Sequence, residues 1–208
     1  MAEPYPGRTK YDRSRAEAYS RRSPGRNREE AAVLARVLDG LPPGRDILDV
    51  PCGTGRIAAI LLDRGYRVFC GDLSPHMLEH AAALRGSGAI PFRGDLLRLP
   101  LAAGSFDHAF CIRLLHHIPG PEVRRSMLRE LARVTRGKVV VTFFHPVSFH
   151  NLERWVLRLL TGRKSPRVSF TAATLDRDAA AAGLRVERTA AVSAYRKDLW
   201  FAVLGKGP

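Results

Sequence analysis

The chain has 208 residues but only three cysteines, few aromatic residues and far fewer acids than bases. Cys52, Cys70 and Cys111 are odd in number and form no CxxC pair. This excludes a framework of disulfides and argues against a zinc site. We therefore predict that the cysteines are small buried apolar residues, and we predict no metal ion.

Long hydrophobic runs are also missing. No apolar stretch approaches the ~20 residues that a membrane span requires, since the best one, residues 139–149, is interrupted by His145-Pro146. The N-terminal residues 1–6 lack the apolar core of a secretory signal. These absences predict a protein of the cytoplasm.

Acidic residues are scarce, and the 34 Lys and Arg against 20 Asp and Glu give a formal net charge of +14. Such an excess can indicate a nucleic-acid or anionic-membrane partner. Here the bases are almost all arginine, are spread along the chain and accompany abundant Ala, Gly and Pro. We favour a compositional origin over a nucleic-acid footprint, because blocks and stripes of charge mark a binding face.

The chain divides into a short arm and one domain. Residues 1–27 are rich in Arg, Ser, Pro and Gly without sustained periodicity, which predicts a basic arm, and residues 28–208 form the domain. Hydrophobic periodicity predicts helices over residues 28–41, 54–64, 75–84 and 172–182, with another opening at Pro121. It predicts strands over residues 46–50, 66–70, 89–92, 106–112, 138–144, 184–192 and 199–205.

Strands that alternate with helices at this spacing imply parallel βαβ units. We predict an α/β fold with a doubly wound, Rossmann-like sheet of seven strands and with helices on both faces. The sheet is expected to be mostly parallel with an antiparallel last strand, because few residues separate the two closing strands. A ligand is expected at the carboxyl ends of the strands.

The helix that opens at Pro121 has an apolar face and a basic face. We predict that the basic face is solvated. Its members are Arg124, Arg125, Arg129, Arg133 and Arg136.

A glycine-rich turn follows the first predicted strand, and an acid follows each of the next two. The turn Gly53-Thr54-Gly55 leads into a helix, so its backbone N–H groups can approach an anion closely. Asp72 closes the second strand 19 residues after Gly53, near the ~20 at which an acid reaches ribose hydroxyls. Asp95 follows the third strand. Core packing does not explain three such features at one sheet edge.

These motifs resemble those of the class I S-adenosylmethionine-dependent methyltransferases, specifically the small-molecule branch typified by enzymes of ubiquinone and menaquinone biosynthesis. The resemblance covers residues 28–206. It is carried by residues 47–56, 71–78, 94–96, 106–107 with 114–118, and 128–134.

The resemblance implies that the chain binds S-adenosylmethionine. Asp72 would accept both ribose hydroxyls, and Asp95 would accept the adenine amino group. Leu73 and Met77 would flank the adenine, while the turn and Asp49 would hold the methionyl part. The implied cofactor contacts are Asp49, Gly53, Thr54, Gly55, Asp72, Leu73, Met77, Asp95, Leu96 and Arg113.

One residue departs from this pattern, and one segment also fits another pattern. Members of the family usually have glycine where this chain has Pro51, and proline fixes φ and removes an N–H. Residues 53–58 also satisfy the dinucleotide-binding pattern with Ala58 in its last position. The alternative of an NAD site leaves Asp49 and Asp95 without a role.

The methyl acceptor is expected over the ends of the fourth and fifth strands, where His116, His117 and His145 lie. Methyl transfer is an in-line displacement that positioning accelerates, and a base is needed when the acceptor must lose a proton. Histidine titrates near neutrality. His117 and His145 are the candidate bases, the alternative being that they only shape the pocket.

Residues 148–161 carry apolar side chains at helical spacing among arginines. This pattern predicts an amphipathic lid over an apolar acceptor, able to contact an anionic membrane surface. The alternative is an ordinary helix that packs on the core.

From these features we expect a methyltransferase that acts on a small-molecule acceptor, apolar and quinone- or lipid-like. An RNA methyltransferase that uses the basic arm and a cofactor-binding module without turnover are the alternatives.

Overall fold

The computed structural model describes residues 24–84, 88–146, 168–192 and 198–207. The predicted arm lies largely, and the predicted lid wholly, outside these ranges. In chain order the elements are α1 (Pro24–Asp39), β1 (Asp46–Asp49), α2 (Arg56–Asp63), β2 (Arg67–Asp72), α3 (Pro75–Ala82), β3 (Ala89–Arg93), β4 (His108–Cys111), α4 (Pro121–Val134), β5 (Val139–Phe144), α5 (Ala172–Ala180), β6 (Leu184–Ala191) and β7 (Leu199–Lys206).

The described strands form one seven-stranded sheet in the order β3-β2-β1-β4-β5-β7-β6. The first five strands of this order pair in parallel, and β7 lies antiparallel between β5 and β6. The prediction of a doubly wound, mostly parallel sheet with an antiparallel last strand is confirmed. Parallel pairing brings the carboxyl ends of β1, β2, β3 and β4 to one edge, where the glycine turn and the predicted acids follow.

The central strands are buried on both faces, and their side chains alternate between two cores. Leu48 and Val141 pack on the side of α4 and α5, whereas Ile47 and Val140 pack on the side of α1 and α2. Every residue of β5 is buried, as its unbroken apolar run predicts. Helices therefore cover both faces of the sheet, as expected.

The three cysteines are free and buried, which confirms their prediction as small apolar residues. Cys52 directly precedes the glycine turn, and Cys70 and Cys111 lie on β2 and β4, which flank β1. Within the described ranges no helix combines the length and apolarity needed to cross a bilayer.

The starts of two helices differ from the prediction. Helix α1 begins at Pro24 rather than at residue 28. Helix α2 begins at Arg56 rather than at Thr54, because the preceding Gly55 has a φ of 82° and ends the turn in the left-handed region. The predicted cap of α3 is confirmed, since the Ser74 hydroxyl accepts the Met77 N–H.

The prediction of a fully solvated basic face on α4 is wrong at Arg124. This side chain is only 5% exposed, and its Nε donates to Asp178 Oδ2 on α5 at 2.8 Å. Its Nη1 donates to the carbonyls of Ile118 and Pro119, both at 3.0 Å. The helix turns Arg124 towards α5, and the buried acid there supplies the charge that a periodicity pattern does not reveal. Arg129, Arg133 and Arg136 are exposed, as predicted.

Asp178→Ala should lower the free energy of unfolding by about 3–5 kcal/mol, because it leaves the buried Arg124 guanidinium without its counter-charge. The matched control is Asp176→Ala, which removes an exposed acid from the same helix and should cost about 1 kcal/mol or less. Urea unfolding of both variants measures the difference. Equal effects of the two substitutions would contradict a stabilising role of the pair.

Candidate functional site

A cleft of about 840 Å³, counting its open mouth, lies at the carboxyl ends of the central parallel strands. Its walls come from the loops after β1, β2, β3 and β4, as a doubly wound sheet places them. The lining residues are Val50, Pro51, Cys52, Gly53, Thr54, Arg56, Ile57, Asp72, Leu73, Met77, Gly94, Leu96, Ile112, Arg113 and Leu114.

The turn after β1 forms the floor of the cleft and depends on its glycines. Gly53 and Gly55 have φ values of 55° and 82°, which other residues rarely adopt. A Cβ on Gly53 would meet nothing within 4 Å, so this residue leaves space for a bound group. A Cβ on Gly55 would approach Leu84 Cδ1 to 2.7 Å, so Gly55 serves packing instead.

Asp72 joins the loop after β1 to the loop after β2. Its Oδ2 accepts the Gly53 N–H at 2.9 Å and its Oδ1 accepts the Ser74 N–H at 2.9 Å. Burial raises the pKa of Asp72, while the N–H groups of Ser74 and Gly53 oppose that rise. Each carboxylate oxygen has a further lone pair, and the residue lines the cleft. Asp72 can therefore accept hydrogen bonds from a bound molecule while it holds the two loops.

Asp49 lies beneath the turn and not on the cleft wall. It is 0% exposed, and neither carboxylate oxygen makes a hydrogen bond of good geometry within the described part of the chain. Burial raises the pKa of Asp49 to about 8, although the nearby Arg56 guanidinium partly opposes this rise. At neutral pH the buried group is therefore mainly protonated in this structure.

The loops after β2 and β3 form an apolar wall. Leu73, Met77 and Leu96 line the cleft, and Met77 and Leu96 are buried. Asp95 is half-buried and does not line the cleft; its Oδ1 accepts the Leu97 N–H at 3.0 Å. Its neighbour Gly94 does line the cleft.

Arg113 closes the cleft on the side of β4 and has a strained backbone. Its φ is 60°, and its N–H donates to Thr142 Oγ1 at 2.7 Å. Its guanidinium pairs with Glu30 of α1, which also pairs with Arg56. Although burial alone would raise it, the pKa of Glu30 lies below its ordinary value because of Arg113 and Arg56.

The predicted histidines lie beyond the cleft, at the ends of β4 and β5. His117 ends a single 3₁₀ turn, Leu115–His117, and its ring lies 4.1 Å from that of His116. His145 follows β5, and its ring lies 5.3 Å from that of Trp200. Neither residue lines the cleft, so their role as bases stays a prediction. Within the described ranges no three His, Cys, Asp or Glu side chains are grouped to hold a metal ion.

A sequence profile of the methyltransferase domain matches residues 47–138. This range holds the glycine turn, Asp72, the loop after β3 and Arg113. This part of the chain is a methyltransferase domain. The family resemblance inferred from the motifs is therefore confirmed.

Similar curated proteins of this methyltransferase family act on different acceptors. The chain is 39% identical over 100 residues to an O-methyltransferase of Pyrenophora dematioidea, covering 45% of this chain and 36% of that protein. It is 38% identical over 107 residues to a demethylmenaquinone methyltransferase of Beutenbergia cavernae, covering 50% of this chain and 43% of that protein. It is 30% identical over 129 residues to the 18S rRNA (guanine(1575)-N(7))-methyltransferase of Saccharomyces cerevisiae, covering 56% and 47%. The chain thus spans less than half the length of these relatives.

A solved methyltransferase shares the fold across most of the chain. Magnesium protoporphyrin IX methyltransferase from Synechocystis, crystallised with S-adenosylhomocysteine, matches with a TM-score of 0.71 and 21% identity. The match covers 88% of this chain and 84% of that one.

The residues of the cleft fit S-adenosylmethionine. Gly53 leaves open space above the turn, Asp72 presents acceptor lone pairs, and Leu73, Met77 and Leu96 offer apolar surface for a purine. Seven of the ten predicted contacts line the cleft, and the exceptions are Asp49, Gly55 and Asp95.

Three polar residues of this methyltransferase site were not foreseen from the sequence. Arg56 and Thr142 gave no signal, since one opens a helix and the other lies within an apolar strand. Glu30 did leave a signal, because it shares one helical stripe with Val33, Leu34 and Val37 of α1. An acid within an apolar stripe indicates a buried cationic partner.

Asp72→Asn should weaken the binding of S-adenosylhomocysteine by about 10- to 100-fold, because hydrogen bonds to a charged group contribute about 1.5–3 kcal/mol each. The control is Asp63→Asn, an exposed acid on α2, which should leave the affinity within twofold. Calorimetric titration measures both. Unchanged affinity in the Asp72 variant would remove this residue from the cofactor site.

Asp49→Asn should stabilise the ligand-free protein relative to wild type increasingly as the pH rises from about 4 to about 8. The pKa of Asp49 is raised from its ordinary value of 3.8 to about 8 in the folded protein. At a pH between these two values, Asp49 keeps a proton in the folded protein and releases it on unfolding. The stability of the wild type therefore falls as the pH rises. The relative gain should reach the order of a few kcal/mol. Urea unfolding at pH 5 and pH 8, with Asp63→Asn as control, measures it. A difference that does not change with pH would contradict a buried, protonated Asp49.

Proposed function

We propose that this chain binds S-adenosylmethionine in the cleft and transfers the methyl group to a small-molecule acceptor of apolar, quinone- or lipid-like character. The cofactor supplies an activated methyl group on a sulfonium. The protein binds the cofactor, orients it towards the ends of β4 and β5, and excludes water from the reaction.

The observation that carries the proposal is the geometry of Asp72. A buried carboxylate fixed by the N–H groups of two loops, above an open glycine turn, suits the two vicinal hydroxyls of a ribose. The adjoining wall of Leu73, Met77 and Leu96 suits an adenine ring. A carboxylate that can accept hydrogen bonds from a sugar, with an apolar wall beside it, favours a nucleoside cofactor over an inorganic anion.

The surroundings of the ends of β4 and β5 favour an apolar or aromatic acceptor. The rings of His116 and Phe144 meet edge-on with centroids 4.6 Å apart, and Trp200 lies beside both Phe143 and His145. His116, Phe143 and Phe144 are buried, so His145 and Trp200, which are half-buried, are the rings that could pack against a planar apolar group. The predicted lid, residues 148–161, lies outside the described residues. Its sequence pattern alone supports a position over the acceptor and a contact with a membrane.

The charge of the described residues argues for a small acceptor. They contain 20 Lys and Arg against 16 Asp and Glu, so most of the excess of +14 lies outside them. Many of the described bases are paired with acids on the surface. The pairs are Arg64–Asp39, Arg67–Asp46, Arg133–Glu130, Arg136–Asp107 and Lys138–Glu187. These pairs neutralise part of the basic charge of the described residues.

RNA is the second candidate acceptor. The similarity to an 18S rRNA methyltransferase and the six Lys and Arg against three Asp and Glu in residues 1–23 support it. If RNA is the acceptor, binding should fall steeply with salt because each phosphate contact releases a counterion.

Incubation with S-adenosylmethionine labelled in its methyl group distinguishes these acceptors. Purified protein is added to a cell extract, and the label is sorted into lipid, polar-metabolite, RNA and protein fractions. The Asp72→Asn variant is the control for background transfer. Label in the lipid or metabolite fraction supports the proposal, and label in RNA establishes the alternative. Cofactor binding without transfer in any fraction would identify a binding module and contradict the proposed activity.

His117→Ala should lower turnover by about 10²–10⁴-fold while the affinity for S-adenosylhomocysteine stays within twofold, if His117 is the base. His145→Ala serves as the comparison at the neighbouring strand end. Steady-state turnover with the acceptor found by labelling measures both. Turnover within a few-fold of wild type would eliminate His117 as the base.

A further inference from the structure

The N-terminal helix α1 reaches the cleft through one buried acid. Glu30 is 0% exposed, and its Oε1 accepts a hydrogen bond from Arg56 Nη2 at 2.9 Å. Its Oε2 accepts bonds from Arg113 Nη2 at 2.6 Å and from Arg113 Nε at 3.1 Å. Both arginines line the cleft. A single carboxylate on α1 therefore holds two parts of the cleft wall that are far apart in the chain.

Arg113 needs this support because of its backbone conformation. A φ of 60° is unfavourable for a residue with a Cβ, and such residues persist where their surroundings fix them. The Thr142 hydroxyl fixes the backbone N–H, and Glu30 fixes the side chain through a bidentate ion pair. Loss of either contact would free the wall of the cleft to relax towards ordinary φ values.

Arg56 is held by the same carboxylate. It is the first residue of α2 and follows Gly55 of the turn. Its Nη2 binds Glu30, whereas its Nη1 is buried without a hydrogen-bond partner among the described residues. Glu30 thus faces two guanidinium groups, and one of them lies at the N-terminus of α2.

We propose that Glu30 is a positioning residue for the cofactor, which holds Arg56 and Arg113 in place and so makes the docking of α1 part of cofactor binding. This inference rests on the proposed binding of S-adenosylmethionine in the cleft. It assigns α1 a role in ligand binding although the helix does not itself line the cleft. A wall that is already ordered binds more tightly, because the ligand does not have to order it.

Calorimetric titration with S-adenosylhomocysteine tests this role in three proteins: wild type, Glu30→Gln and Glu29→Gln. Glutamine keeps the volume of Glu30, but its NH₂ group faces a guanidinium and cannot accept a bond. We expect Glu30→Gln to weaken binding at least tenfold. Glu29 is exposed on the same helix, so Glu29→Gln should bind within twofold of wild type.

Hydrogen exchange of the wild-type protein and of Glu30→Gln supplies a second measurement. If α1 is coupled to the cleft, S-adenosylhomocysteine should slow the exchange of the α1 amides of the wild-type protein at least tenfold. In Glu30→Gln this protection should be lost even when ligand is present at saturation. A merely structural role of Glu30 would lower the melting temperature but leave the affinity and the ligand-dependent protection unchanged.

The outcomes separate this inference from the proposed function. If wild-type protein does not bind S-adenosylhomocysteine, the proposed function fails and the inference with it. If wild type binds but Glu30→Gln binds equally well, or α1 gains no protection, only the role of Glu30 is overturned. If Glu30→Gln does not fold, the exchange data for wild type decide the question.

Discussion

Parallel pairing of β1, β2, β3 and β4 is the constraint on which the rest of the structure depends. It brings four strand ends to one edge, so that a turn, an acid, an apolar loop and an arginine meet although they are spread over residues 53–113. Burial of these strands on both faces fixes the register, because a slip by one residue would exchange the two cores. The register therefore fixes which loops meet at the cleft.

Buried acids connect this sheet to its surroundings, and each is accommodated differently. Glu30 and Asp178 lie within ion pairs that join separate helices to the cleft wall or to each other. Asp72 is satisfied by backbone N–H groups at the edge of the cleft. Asp49 makes no hydrogen bond of good geometry to the part of the chain that the structure describes, and burial favours its protonated form by raising its pKa to about 8. An uncompensated carboxylate is too costly in a low-dielectric interior, so pairing, hydrogen bonding or protonation is required.

The sequence predicted those features that depend on local patterns. The strands, the Ser74 cap and the glycine turn follow from periodicity, capping and the conformational freedom of glycine, which involve few neighbouring residues. The burial of Arg124 depends on a partner 54 residues away, which no local pattern contains. The apolar stripe around Glu30 indicates that this acid is buried, but not that its partner is Arg113, 83 residues away. The sequence likewise indicated that Asp95 and Asp49 lie near the cleft, but not that neither residue lines it.

The crystal structure of the protein with S-adenosylhomocysteine tests most directly whether the cleft is a cofactor site. We predict that both ribose hydroxyls lie within about 3 Å of the Asp72 carboxylate, with the purine between the loops after β2 and β3. A nucleoside bound elsewhere on the chain, or an Asp72 carboxylate that touches no part of the ligand, would contradict it.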